Sequence, residues 1–122
     1  MTPDLLLPGH IIEVSLPPCL GGWGLAGTHP LVILAFDQQR HEVQGLACTS
    51  RSDRKEPTYF LPRDASDLPR DSYVLVGSIR QIEKDLWQRA RLLGRVPSVY
   101  LNEIRKKARP AWRRQRLGGY LC

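Results

Sequence analysis

The side chains best suited to chemistry are His29, Thr49 and the cations that follow Thr49. His29 lies in Gly27-Thr28-His29-Pro30-Leu31-Val32-Ile33-Leu34, where a glycine turn delivers a His-Pro pair into an apolar, β-branched run. That run reads as a buried strand with His29 at its mouth. A second apolar run, Val43 to Cys48, ends in Thr49-Ser50 and then Arg51-Ser52-Asp53-Arg54-Lys55. If the two strands are neighbours, an imidazole, a hydroxyl and several cations share one rim. Such a set suits work on a phosphodiester. An imidazole exchanges protons near neutral pH, a hydroxyl donates to a non-bridging oxygen, and guanidinium groups match phosphate geometry.

Blander readings stand beside these. His29 also fits a turn histidine before proline, and Thr49 an ordinary strand threonine. Cys48 should point opposite to Thr49, into the core, which makes a Cys48–His29 nucleophile pair the lesser alternative. Trp23, on a glycine-rich loop, suits either stacking on a base or tucking over the domain. Trp87 reads as core or interface. Trp112, among Arg109, Arg113 and Arg114, suits RNA or an acidic protein.

The elements that must position these groups are short. With 122 residues, 10 glycines and 10 prolines, one modest domain with many turns is expected. Strands are expected over 9–16, 31–36, 42–49, 58–61 and 72–82. A helix is expected over 83–93, ended by Gly94 as a C′ glycine. A last helix should open at Pro97-Ser98, run to about Ala108 and break at Arg109-Pro110. The domain is placed at 1–108, with 109–122 as a basic tail open to disorder. Strands followed by helices make a mainly β, α+β fold, a small barrel or strongly bent sheet with a helix packed at its end.

Charge is uneven. The net charge is +6, yet residues 1–50 hold Arg40 as their only cation, while residues 105–116 hold seven cations and no acid. Such asymmetry fits a polyanion, an acidic protein partner or a solvated basic tail. The 3 cysteines are far apart and form no C-x-x-C pair, as expected of a reduced, cytoplasmic protein. His10, His29 and His41 lack the spacing of a zinc site, so no metal and no cofactor are expected. No signal peptide or membrane span is read.

Four segments together resemble a known family. Gly9-His10-Ile11-Ile12-Glu13-Val14 resembles the "GD-I-x-x-V" opening of MazF/PemK-type toxins of toxin–antitoxin systems. Ala26 to Leu34 is similar to their "GxRPvvVv" segment, and Ala47-Cys48-Thr49-Ser50 to their "P-[IV]-T-[SA]" strand end. Asp71 to Lys84 is similar to "SvvlxDQIRTIDK". Order and spacing agree over residues 9–104.

The resemblance implies an SH3-like barrel with one or two C-terminal helices. It also implies a homodimer, metal-independent and sequence-specific cleavage of single-stranded RNA through the 2′-OH, and silencing by an acidic antitoxin. Carried onto this chain, it makes His29 and Thr49 the catalytic pair and Trp23, Ser50, Arg51, Arg54, Lys55 and Arg80 the RNA contacts. There are two departures. His29 stands where the family carries its catalytic arginine, and Gly77-Ser78 stands where it carries an acidic-Gln pair. The alternative is therefore a catalytically divergent barrel that binds nucleic acid or protein, a gyrase-directed toxin included.

Overall fold

Prolines bracket the first strand. Pro8 precedes it and Pro17-Pro18 ends it, because proline cannot donate to a ladder. The computed structural model describes residues 1–18 and 25–116. The strands are β1 (His10–Leu16), β2 (Gly27–Asp37), β3 (Glu42–Thr49), β4 (Thr58–Leu61), β5 (Ser72–Leu75), β6 (Arg80–Ile82) and β7 (Arg91–Arg95). The helices are α1 (Lys84–Gln88) and α2 (Ser98–Arg116), besides two single 3-10 turns. Among the described residues no helix is long and apolar enough to cross a membrane.

The strands form one bent antiparallel sheet in the order β4-β5-β3-β2-β1-β7, with β6 also paired to β3. The fold is mainly β with a C-terminal helix, as expected. The end strands β4 and β7 are not neighbours, so the sheet curls without closing.

Strand alternation loads both faces of the sheet. One face carries Ile12, Val14, Leu16, Leu31, Ile33, Ala47, Leu75 and Trp87. The other carries Ile11, Val32, Leu46, Cys48 and Val74, and α2 lies on it through Leu101, Ile104, Ala108 and Ala111. Trp87 is core. It is 1% exposed, its indole donates to the His41 carbonyl at 2.8 Å, and its ring meets Phe36 edge-on at 5.7 Å.

Three expectations fail here. The strand over 72–82 is two strands, β5 and β6, separated by a turn at Val76-Gly77. The helix over 83–93 is only α1, and Arg91–Arg95 is an edge strand on β1. Gly94 is thus no helix cap. It lies in the strand, where a Cβ would come within 2.5 Å of the Ser66 carbonyl oxygen. The last helix does not break at Pro110 but continues to Arg116. Pro110 faces solvent, so the carbonyl its missing N–H would have met, that of Lys106, lies on the wet side. The buried positions Leu101, Ile104, Ala108, Ala111 and Gln115 recur every three or four residues straight through it. That stripe is what holds the helix against the proline penalty of about 3 kcal/mol.

Candidate functional site

The β2–β3 hairpin sets the site's register. At its tip the Asp37 carboxylate accepts the N–H groups of Gln39 and Arg40 at 3.0 and 3.2 Å. Pairing then runs down the hairpin, shifts by one residue between Ile33 and Ala35, and reaches Leu31 opposite Ala47. Continued in the same register, it brings His29 opposite Thr49, on the face of Leu31 and Ala47. His29 belongs to β2, paired to Val14 of β1, and is not beyond the strand's mouth. Two residues before it, Gly27 adopts a φ of +90°, a conformation that favours glycine.

His29 and Thr49 line one hollow of about 290 Å³ at the strand ends, with Ser50, Arg51, Arg70 and Ser72 around them. Among the described residues no carboxylate lines it. The His29 Nε2 lies 3.1 Å from the Ala26 carbonyl oxygen. A carbonyl only accepts, so Nε2 carries the proton and Nδ1 of the neutral ring keeps its lone pair. The Thr49 Oγ1 accepts the Arg51 N–H at 3.1 Å. The hydroxyl proton is left to donate elsewhere.

Cys48 lines the same hollow from the opposite face. It is fully buried, and burial pushes its thiol up to about 12. A thiol so held is no nucleophile at neutral pH, which answers against the Cys48–His29 pair.

The basic loop adjoins this hollow. Arg51, Arg54 and Lys55 line a second depression with Asp53 and Glu56. Arg51 forms a two-pronged pair with Asp53, at 3.1 and 2.7 Å. Those hydrogen bonds hold the Asp53 carboxyl below its ordinary range. Arg54 is paired to the buried Glu56 carboxylate.

Arg80 is a correction. Expected on the rim, it is 1% exposed. It donates to the carbonyls of Leu25 and Pro17 at 2.7 and 2.6 Å. Burial pulls its guanidinium below the ordinary value, and the Glu56 charge opposes that. Its role is to clamp the two described ends of the loop between β1 and β2. Trp23, Cys19 and Cys122 lie outside the described residues.

Residues 7–111 match a family of PemK-like, MazF-like toxins of type II toxin–antitoxin systems. The chain belongs to this family. No protein in a curated set matches it in sequence. Among solved structures, MazF (Form-I) of Deinococcus radiodurans is similar at a TM-score of 0.66 and 24% identity, over 85% of this chain and 93% of that one. MazE–MazF (Form-III) from the same organism gives 0.62 at 23% identity, over 85% and 92%. MazE–MazF (Form-II) gives 0.63 at 22%, over 86% and 93%. At these identities the likeness is one of fold.

Within this PemK-like, MazF-like fold the hollow also gathers Arg70 and Ser72, which the sequence did not single out. Arg70 follows Pro69 in an exposed loop, and Ser72 opens β5 with its hydroxyl donating to the Arg70 carbonyl at 3.3 Å. Nothing in their local spacing separates them from other loop residues. The departure at Gly77-Ser78 falls in the β5–β6 turn, where the Gly77 carbonyl accepts from Arg114 at 3.0 Å.

Proposed function

We propose that this toxin-family chain is a metal-independent endoribonuclease acting on single-stranded RNA. The observation that supports the reading is that His29 and Thr49 line one hollow with Ser50, Arg51 and Arg70. His29 takes the 2′-OH proton on Nδ1. The 2′-oxygen attacks the adjacent phosphorus as the bond to the 5′-oxygen breaks. The departing oxygen takes a proton from water at the open mouth. Thr49 donates to a non-bridging oxygen, and Arg51 and Arg70 offset charge on the crowded phosphorane. The products are a cyclic phosphate and a 5′-hydroxyl.

We further propose a homodimer silenced by an acidic antitoxin. The solved relatives described as MazE–MazF and the net charge of +6 support an acidic partner.

The test is a long, weakly structured RNA incubated with and without EDTA, its 5′ ends mapped. Cleavage should persist in EDTA. His29→Ala should slow it about 100- to 10,000-fold, as loss of a general base does, while circular dichroism stays unchanged. Cleavage that stops in EDTA and returns with magnesium overturns the mechanism. A full rate in His29→Ala overturns the base. RNA bound but never cut favours the divergent binding module.

A further inference from the structure

The row that begins at His29 and Thr49 does not stop there. Thr49 is paired across β3 and β5 with Tyr73. Tyr73 is paired across β5 and β4 with Phe60. Directly opposed residues of an antiparallel pair share a face, so Thr49, Tyr73 and Phe60 form one line across three strands, and His29 lines the same hollow as Thr49. The two rings touch at 5.5 Å between centroids, tilted by 53°. Phe60 is 48% exposed and Tyr73 half-buried. Among the described residues neither ring belongs to either buried core cluster. At strand spacing, Tyr73 and Phe60 stand about 5 and about 10 Å from Thr49.

Phe60 lies half in water on an edge strand, where its ring is open to a partner. Its strand is held by β5 on one side and by α2 through the Tyr59 hydroxyl, which donates to Glu103. The basic loop 50–57 starts after Thr49 and ends where β4 begins, so it carries Arg51, Arg54 and Lys55 from one end of the row to the strand that holds Phe60. A basic loop that joins the hollow to a strand bearing a partly exposed aromatic pair combines the two elements by which single strands are held without base-specific hydrogen bonds, cations and ring faces.

We propose that Tyr73 and Phe60 form a stacking platform for the RNA bases that flank the phosphate held at His29 and Thr49. The platform rests on the ribonuclease reading, and its occupant is unpaired RNA. Phe60 is the outer ring and meets a base face. Tyr73 backs it and bridges to the hollow. Stacking reads no base edge, so the platform adds affinity and positioning and leaves sequence choice to other contacts.

The experiment uses the full chain and an RNA oligonucleotide carrying the mapped cleavage site, with a 2′-deoxy nucleotide there to block cleavage. Affinity is read by fluorescence anisotropy at several salt concentrations. Phe60→Ala should weaken binding about tenfold or more and leave the salt dependence unchanged, because no phosphate contact is lost. Phe60→Trp should restore it. Replacing flanking bases one at a time by abasic sites should weaken wild-type binding at one position by a similar factor, and cost Phe60→Ala nothing more there. Phe60→Ala binding as tightly as wild type, or losing affinity to abasic RNA just as wild type does, overturns the platform while the ribonuclease reading stands. Wild-type protein that neither binds nor cuts RNA overturns both.

Discussion

Two cationic regions look alike in the sequence and behave differently in the fold. The loop 50–57 and the helix segment 105–116 each concentrate basic residues, and either could meet a polyanion. The loop springs from Thr49 and borders the hollow. The helix lies on the opposite face of the sheet, against Val32, Leu46, Cys48 and Val74. Several of its polar groups are already engaged by the fold. Arg105 donates to the Leu34 carbonyl at 3.1 Å, and Arg114 to the Gly77 carbonyl. Gln115 accepts the buried Ile79 N–H at 3.0 Å and donates to the Ile79 carbonyl at 3.3 Å. A run of charge therefore identifies a wet face. Which face it is depends on what the apolar residues between the charges are packed against.

The strongest way to break this comparison is to delete residues 109–122. If the helix end were an appendage, the domain would keep its melting temperature. The expected result is loss of cooperative unfolding by circular dichroism. The deletion removes Ala111 and Gln115 from the stripe and strips both buried polar groups of Ile79 of their partner.

A gentler probe is Gln115→Leu, which keeps the bulk but abandons Ile79. Each buried group left unpaired costs about 1–3 kcal/mol. The variant should melt several degrees lower, with the hollow intact. An unchanged melting temperature would mean that the Ile79 groups find other partners.

The smallest effect sharpens the other half. Arg51→Ala should leave melting unchanged, since the Arg51–Asp53 pair is exposed and exposed pairs contribute little. It should lower the slope of log affinity against log salt for single-stranded RNA by about 0.7, the share of one phosphate contact. Arg113→Ala, on the far face, should leave that slope alone. Equal slopes for both variants would place the RNA elsewhere.

Local pattern made some of the fold legible. The bounds of β3 and β4 follow from apolar alternation closed by Thr49-Ser50 and by Pro62. The two faces of β1 follow from period two, with Ile12, Val14 and Leu16 on one side. What misled was also local. Leu86, Ala90 and Leu93 have helical spacing, yet β7 forms because β1 offers it an edge. Arg109-Pro110 looks like a helix end, yet the stripe from Leu101 to Gln115 was there to be read.

The sequence by itself determined the strands' apolar runs and the hairpin that sets β2 against β3, but the meeting of His29 with Thr49 also needs the one-residue register shift between Ile33 and Ala35. A short hairpin fixes the register near its tip from its own residues, and the shift farther down the ladder decides which side chains face each other at the strand ends. Only the tertiary structure decided the rest. It buried Arg80 on two backbone carbonyls, brought Arg70 and Ser72 to the hollow, sent the basic helix to the far face, and continued the row to Tyr73 and Phe60. Those placements depend on pairing between strands distant in the chain and on which face α2 covers. Neither is encoded in the spacing of neighbouring residues, because each is settled by how much apolar surface the whole sheet can bury.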